Sequence, residues 1–460
     1  MCGVVGIVSK NHKEVAKDLY CALYALQHRG KESAGMVTWD GNRYYSHRGK
    51  GEIALVFRNG DVLGNLKGKV GIAHNRYSTA GFSDVINIQP LKGIWQGKEF
   101  WIAHNGNLVN AEILRRECER KGFRFETTSD TGVISALISL TKTQTFEEAI
   151  KEVIPRLKGA FCLLILFERK IYVIKDTFGI RPLCLGETEE SFIVASESCA
   201  LYHLNAKLIR EVQAGEFLII DSYGIKEYFK FPCTQRKFCI FEFIYFLRPD
   251  SKVFGRRVKD VQKQMGKNLA KEAPVKADIV IPIPDSGKYG GYGFIEESKI
   301  ENGEEAMLRT HLVSRTFIEP VQEMRKRGIE LKFVVMEEEV RGKSVVMIDD
   351  SIVRGNTQKR LIKLFKKAGA KKIHTRIFSP PYRFPCYYGI DTYRVKDELI
   401  AKRHRGDVEK IREELELDSL KYLSLDGMIE AILKVNGETL KKEDFCTACF
   451  DGKYPIRLND

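Results

Sequence analysis

The sequence predicts a chain in two parts, an α+β half built on antiparallel sheets followed by an α/β half built on a parallel sheet. Three observations carry this. The 460 residues exceed what one hydrophobic core organises. Up to about residue 230, short β-rich segments are spaced by turn residues, as in hairpins. From about residue 234 onward, short apolar runs alternate with helical periodicity, the mark of strand–helix–strand units.

In the first half, Ala160–Phe167, Ile171–Lys175 and Phe192–Ala195 read as strands, and Asn59-Gly60 and Asn105-Gly106 as turn signals. Pro232–Phe238, mixed and basic, reads as the junction, giving expected domains 1–232 and 233–460. Beyond it, Ala277–Ile283 reads as a strand ending in a Pro-Asp-Ser-Gly turn. Ser298–Met307 is polar and reads as a flexible loop. Val345–Ile348 and Ile373–Phe378 are further strands. Between them Leu361, Ile362, Phe365 and Ala368 recur at helical spacing, and Gly369 ends that helix. There is no internal repeat and no low-complexity tract.

Composition is that of a globular protein, with 43% hydrophobic and 30% charged residues. No apolar run approaches the ~18 residues of a membrane span. His12, Lys13, Lys17 and Asp18 interrupt any secretory core near the start, so a cytosolic protein is expected. The net charge of +14 suits anionic partners, but the basic residues are scattered and read as a solvated surface, not a nucleic-acid stripe. Eleven cysteines, an odd number, argue against a simple disulfide framework and for metal or catalytic roles.

Cys2 directly follows Met1. Removing Met1 would place a thiol and a free α-amine on one residue. The thiol needs a base to become a nucleophile, and an α-amine with a pKa near 8 can serve as that base. The bland reading is a small apolar residue at the start of a strand.

The second local signal is the run Val345 to Thr357, VVMIDDSIVRGNT. A buried strand ends in Asp349 and Asp350, and a loop of hydroxyl, glycine and amide groups then opens a helix. Backbone N–H groups at such a turn, with a helix N-terminus, favour an anion. Two carboxylates beside a phosphate are sensible where they meet a Mg2+-bound sugar through its hydroxyls. A helix-capping Asp accounts for one acid, not for the run.

This run resembles the loop of type I phosphoribosyltransferases that binds phosphoribosyl pyrophosphate (PRPP). The resemblance implies that Asp349 and Asp350 contact the ribose, that Ser351, Arg354, Gly355, Asn356 and Thr357 hold the 5-phosphate, and that Mg2+ is held at Ser286, Asp349 and Asp350. Asp285, Ser286 and Gly287 resemble the family's pyrophosphate loop, and Arg315 in Val313–Phe317 (VSRTF) completes the set. The chain departs from the family at Thr310 and His311, where Asn and Arg are usual, and at Asn356, where Thr is usual.

The first half resembles the class II glutamine amidotransferases, N-terminal-nucleophile hydrolases with an αββα sandwich. The matching pieces are Met1-Cys2-Gly3-Val4, Leu26-Gln27-His28-Arg29-Gly30, His74 to Thr79, Ala103-His104-Asn105-Gly106-Asn107 and Ser129-Asp130-Thr131. The resemblance implies Cys2 as nucleophile, with the Asn105 side chain and Gly106 amide stabilising the oxyanion. Arg29, Gly30, Arg76, His104 and Asp130 are implied in glutamine binding, Arg76 for the carboxylate and Asp130 for the ammonium. Read alone, Arg76 is a surface cation and Asp130 a helix cap.

The two halves in this order resemble the glutamine PRPP amidotransferase family, over nearly the whole chain. The implied reaction releases ammonia from glutamine and uses it to displace pyrophosphate from PRPP, giving 5-phosphoribosylamine. A sealed path between the sites is implied, with Arg325–Phe333 as the moving loop. Family members are typically tetramers inhibited by purine nucleotides.

Cys446-Thr447-Ala448-Cys449 is a CxxC, by itself open between zinc, redox and iron–sulfur roles. With Cys239 and Cys386 it resembles the ligand set of the iron–sulfur type, which carries a [4Fe–4S] cluster as a staple. Members of that type usually carry a propeptide; here only Met1 precedes Cys2, so ordinary methionine removal is expected. Two rival readings are a PRPP-sensing DNA-binding regulator, which has no use for Cys2, Arg76, Asn105 and Asp130, and a paralogue with an altered acceptor.

Overall fold

The computed structural model of the chain describes residues 1–77, 85–233, 235–310 and 333–457. In the first half two antiparallel sheets stack face to face. One has seven strands, in the order Lys207–Glu211, Cys184–Glu187, Ser191–Ala195, Gly3–Ser9, Val70–Arg76, Ser33–Trp39 and Tyr44–Lys50. The other has six, in the order Gly224–Lys230, Glu216–Asp221, Lys170–Lys175, Gly159–Phe167, Lys98–Leu108 and Leu91–Trp95. Side-chain alternation sorts the strand after Cys2 into two cores. Val4 and Val8 meet Ala103, Leu164 and Val173 between the sheets, while Val5 and Ile7 pack outward on Leu19 and Leu23 of helix Ala16–Ala25. The second sheet packs its other face on helices Asp130–Ser139 and Phe146–Val153. The result is the expected αββα sandwich. Both faces of each sheet are covered, which is why the strands read as continuous apolar runs.

The second half holds a five-stranded parallel sheet, ordered Glu301–Asn302, Ile279–Pro282, Ser344–Asp349, Lys372–Ile377 and Ser419–Tyr422. Helix Asn356–Lys367 covers one face through Leu361, Ile362 and Phe365. Helices Val258–Glu272 and Lys288–Ser298 are in near-backbone contact. A Cβ on Gly266 would stand 1.8 Å from the Gly290 carbonyl oxygen, and one on Gly293 1.8 Å from that of Lys263. After the junction, Phe238–Cys239 pairs in parallel with Phe445–Cys446, near the end of the chain.

The strands expected at Ala160, Ile171 and Phe192 each begin one residue earlier. Ala277–Ile283 is shorter as a strand, Ile279–Pro282. Three expectations are corrected. Asn59-Gly60 opens helix Gly60–Asn65 instead of a hairpin. Asn105-Gly106 lies inside strand Lys98–Leu108, paired with Cys162 and Phe161, because the neighbouring strand supplies a ladder that outweighs the local turn tendency. The polar segment 298–307 contains an edge strand, Glu301–Asn302, which pairs with Ile279 and Val280, and a helical turn at Glu304–Ala306. Among the described residues no helix is long and apolar enough to cross a membrane.

Candidate active site

Cys2 stands at the head of the central strand of the first sheet, and its neighbours hold it by the backbone. Its nitrogen donates to Asn105 Oδ1 at 3.2 Å, and its carbonyl accepts from Arg29 Nε at 3.0 Å. The next nitrogen, of Gly3, donates to Asn75 Oδ1 at 2.7 Å. Asn75 Nδ2 in turn holds the carbonyls of Leu26 and Gly30, fixing the turn that carries Arg29. The Cys2 thiol donates to the Tyr77 carbonyl at 3.6 Å. Asn105 is fully buried, and its Nδ2 has no hydrogen-bond partner among the described residues. An orphaned buried amide donor is costly and normally avoided.

Gly106 follows, where the backbone approaches its neighbour so closely that a Cβ would lie 1.9 Å from the Ala160 carbonyl oxygen. Arg76 is buried and donates to the Asn87 carbonyl at 2.6 Å. Asp130 is the first residue of its helix. Its carboxylate accepts from Leu108 N at 3.0 Å and Thr131 N at 2.9 Å, and Ser129, not Asp130, caps the helix by accepting from Gly132 N. His104 lies between, 3.2 Å from Thr131 Oγ1 and 3.8 Å from Asp130 Oδ1. Burial lowers the His104 pKa and drives that of His74 down to about 3, so neither ring is disposed to carry a proton at neutral pH.

Arg29, expected among the glutamine ligands, is committed elsewhere. Its guanidinium reaches Glu197 at 2.6 Å and Glu242 at 3.1 Å, all three side chains fully buried. Burial alone would make it less basic, but the carboxylates of Glu242 and Glu197 raise its pKa above the usual value. Glu242 also meets Arg181 at 3.3 Å. Asn75, Glu197, Glu242 and Arg181 were not legible as site residues. Each lies inside a stretch that resembles the family, Asn75 in His74–Thr79, Arg181 in Asp176–Gly186, Glu197 in Val194–Ser198 and Glu242 in Phe241–Ser251, but nothing local gives any of them a role.

In the second half two loops leave the C-terminal ends of neighbouring parallel strands, paired from Ile279↔Val345 to Pro282↔Ile348. Ligands bind at such edges in open α/β sheets. A Cβ on Gly287 would stand 2.3 Å from the Ile348 carbonyl oxygen, so the loops can approach only with glycine there. Ser286 Oγ reaches Asp349 Oδ1 at 3.4 Å, Gln358 Nε2 donates to Asp349 Oδ2 at 2.7 Å, and Ser351 Oγ bonds to Asp350. Burial, then the neighbouring Asp350, lifts the Asp349 pKa well above the carboxylate range; burial lifts that of Asp350 too. Gly355, at φ +82°, turns the loop into the helix that Asn356 and Thr357 begin. Arg354 is exposed and pairs with Glu398 at 3.1 Å. Asp285 is engaged by Arg309, and Lys288 by Glu304 at 3.0 Å. Arg315 and His311, the VSRTF segment, and residues 325–332 lie outside the described residues.

Tyr245 is 55% exposed as a residue, while its hydroxyl is desolvated and within electrostatic reach of Asp350, Tyr77 and Asp349, all of which press its pKa upward.

Cys239, Cys386, Cys446 and Cys449 line one cavity, with Ile180, Arg181, Tyr388 and Tyr454. The Cys239↔Cys446 strand register sets two of them side by side. Cys386 Sγ accepts from Tyr388 N at 3.3 Å, and Cys449 O holds the nitrogens of Arg383 and Phe384. No disulfide forms among the cysteines. Burial pushes the Cys239 thiol up to about 11 and those of Cys446 and Cys449 higher than usual. Among the described residues no group of three or more His, Cys, Asp or Glu is set to hold a single metal ion. Of the remaining cysteines, Cys21 and Cys233 are exposed, and Cys118, Cys162, Cys184 and Cys199 are buried.

Residues 74–203 match the glutamine amidotransferase domain family. They define a glutamine amidotransferase half, which the chain joins to the parallel-sheet half. Over its whole length the chain is 42% identical to the amidophosphoribosyltransferase of Methanocaldococcus jannaschii, covering 98% of that protein, and 42% identical to that of Bacillus subtilis, covering 94%. The crystal structure of the B. subtilis glutamine PRPP amidotransferase with ADP and GMP superposes with a TM-score of 0.91, at 41% identity, over 100% of this chain and 98% of that one. The chain belongs to the amidophosphoribosyltransferase family, enzymes with glutaminase activity at the first step of purine biosynthesis.

Proposed function

We propose that this chain takes ammonia from glutamine at Cys2 and uses it to displace pyrophosphate from PRPP at the Asp349–Asp350 loop, forming 5-phosphoribosylamine. The division of labour follows the two halves, 1–232 for glutamine and 233–460 for PRPP. The observation that carries the reading is Asn105, one side-chain atom of which holds the Cys2 nitrogen while the other, a buried donor, has no partner among the described residues.

With Met1 present, Cys2 N is an amide and cannot act as a base. The Met1 amine itself is buried, and burial pushes its pKa down to about 5. Removal of Met1 would free the Cys2 α-amine at the position Asn105 already holds. That amine would take the thiol proton, and the thiolate would attack the glutamine amide carbon. Asn105 Nδ2 and the Gly106 N–H would donate to the resulting oxyanion, and the amine would return the proton to the departing ammonia. Arg76 and Asp130 would take the carboxylate and ammonium ends of glutamine. A glutamyl thioester would remain, for water to hydrolyse.

At the second site Asp349, Asp350 and Ser286 fit Mg2+. Two buried carboxylates that resist ionising side by side are relieved by a divalent cation. The ion would supply charge neutralisation at the pyrophosphate leaving group. Asp285 and Gly287 would border the pyrophosphate, and Ser351 to Thr357 the 5-phosphate, with Arg315 an additional cation. Tyr245, within electrostatic reach of Tyr77 on one side and of Asp349 and Asp350 on the other, supports a path for ammonia. The four thiols around one cavity fit a [4Fe–4S] cluster, which would tie the chain's end to the strand after the junction. ADP and GMP bound to the B. subtilis relative support purine nucleotides as ligands of this chain, and a homo-oligomer is proposed with them.

The test is Cys2→Ala in the full chain. Glutamine-dependent pyrophosphate release from PRPP is expected to vanish while release driven by added ammonia persists. Glutamine-dependent activity surviving in this variant refutes the assignment.

A further inference from the structure

We propose that Glu242, contributed by the second half of the chain, is a positioning residue for the glutaminase nucleophile and acts through Arg29. This rests on the reading of Cys2 as that nucleophile.

The geometry is a continuous line of buried contacts. Arg29 Nε donates to the Cys2 carbonyl at 3.0 Å. Its two terminal nitrogens lie 3.1 to 3.3 Å from the Glu242 carboxylate, a two-pronged grip. Glu242 Oε1 accepts from Arg181 Nη1 at 3.3 Å, and Arg181 Nε and Nη2 both reach the Tyr388 carbonyl, at 3.0 and 2.5 Å. Glu197 closes the other side of Arg29 at 2.6 Å and is itself held from the second half by Arg248 N at 2.9 Å and Ser251 Oγ at 2.7 Å. The side chains of Arg29, Arg181, Glu197 and Glu242 have no solvent exposure.

Two guanidinium groups and two carboxylates balance in charge, yet burying four ions is a poor way to stabilise a junction. Apolar side chains of the same volume do as well or better. What the ions add is direction. A guanidinium gripped by two carboxylates through its terminal nitrogens cannot swing, and its Nε–H points at the Cys2 carbonyl. The Cys2 backbone is thus fixed at three points: its nitrogen by Asn105, the following nitrogen by Asn75, and its carbonyl by Arg29. The first two fixings come from the first half alone. The third depends on Glu242, so nucleophile geometry is complete only when the second half has docked, and an undocked first half would not waste glutamine.

The experiment compares Glu242→Gln and Glu242→Asp with the full-length parent, measuring kcat and KM for glutamine hydrolysis and the rate of ammonia-dependent PRPP amination. Glu242→Gln keeps shape but loses the charge that fixes Arg29. Its glutaminase kcat is expected to fall at least tenfold, with KM for glutamine within threefold and the ammonia reaction unchanged. Glu242→Asp, which keeps the carboxylate, is expected to fall between. An unchanged kcat in Glu242→Gln overturns the proposal. So does a parallel loss of the ammonia reaction, or insoluble protein in both variants, because either marks a merely structural role. A parent that hydrolyses no glutamine, or a Cys2→Ala variant that still does, fails the underlying reading instead and is told apart by that control.

Discussion

Asn105 accepts from the backbone nitrogen of Cys2 with one atom of its side chain and leaves the other, an amide nitrogen, buried and without a partner among the described residues. In the proposed reaction a side chain so divided would serve the nucleophile at rest and the oxyanion during attack. Asn105→Ala removes both contacts. Glutamine hydrolysis is expected to fall about 10²- to 10³-fold in kcat, the range for loss of one oxyanion donor, while ammonia-dependent amination of PRPP is retained. Steady-state assays with either nitrogen source decide it. A kcat within twofold of the parent would show that the orphaned donor is not aimed at the oxyanion.

The acid pair opposes stability, and in the proposed function it would serve binding. Asp349 and Asp350 are both buried, and burial together with mutual repulsion disfavours their ionised forms. Asp350→Asn removes one charge while an amide oxygen can still accept from Ser351. Without ligands the variant is expected to be more stable than the parent near neutral pH, because it removes a buried charge that burial disfavours. Both glutamine- and ammonia-dependent amination should fall at least 100-fold. Thermal unfolding with and without Mg2+ and PRPP reads both effects. A variant less stable than the parent and fully active would contradict this account.

The legibility of the sequence followed the range of the interactions. Strands such as Gly159–Phe167 and Lys372–Ile377 were readable because apolar runs bounded by turn residues are local. The turn signal at Asn105-Gly106 misled because a Cys162 and Phe161 partner 57 and 55 positions away in sequence cannot be seen locally, and the strand it supplies overrides the turn. Cys2, Asn105 with Gly106, and Asp349 with Asp350 sit in contiguous motifs, so the sequence offers them as candidates. The Arg29–Glu242 contact joins residues 213 apart, and Arg181–Tyr388 residues 207 apart. Single charges in ordinary helical or loop contexts give no hint that they are fully buried, so Arg29 was assigned to substrate when its fork is spent on carboxylates.

Iron content tests the cysteine cavity. If the four thiols hold a cubane, anaerobically purified protein should be brown with about four irons per chain. Cys446→Ser is expected to give colourless or insoluble protein, because metal binding and the ordering of segments from residues 239 and 446 are one equilibrium. Stoichiometric zinc without iron in metal analysis would replace the cluster with a zinc site.

Stability should carry a pH signature from Asp176. This carboxylate is buried, and burial pushes its pKa up to about 6, although it accepts from Phe161 N at 3.2 Å and Phe178 N at 3.0 Å. Between about pH 4 and 6 the folded protein keeps a proton that the unfolded chain releases. Stability from this group is therefore full at low pH and lost as pH rises through 6, by roughly 3 kcal/mol in all. Asp176→Asn cannot ionise and lacks that loss, though its amide faces backbone donors and should cost stability at pH 4. The parent's advantage over the variant is expected to shrink as pH rises from 4 to 7. Denaturant titrations across that range measure it, and a constant gap would refute a raised pKa.

The chain departs from the family pattern at Asn356, the exposed first residue of helix Asn356–Lys367 in the proposed phosphate loop, and at His311, before VSRTF and outside the described residues. Two cations among the described residues are already engaged. Lys288 is held by Glu304 at 3.0 Å, and Arg309 is engaged by Asp285. An Asn amide can donate to phosphate, but it is larger than a Thr hydroxyl at a helix start where backbone N–H groups also converge. Asn356→Thr combined with His311→Arg is expected to tighten PRPP binding by roughly 1–2 kcal/mol, the worth of regained charge-assisted contacts. It should also strengthen the stimulation of glutaminase by PRPP. Calorimetric titration with PRPP and Mg2+, beside glutaminase rates at saturating PRPP, separates affinity from coupling. Unchanged affinity in the double variant would mean that other groups already make those contacts, and PRPP binding absent from the parent would remove PRPP as the acceptor.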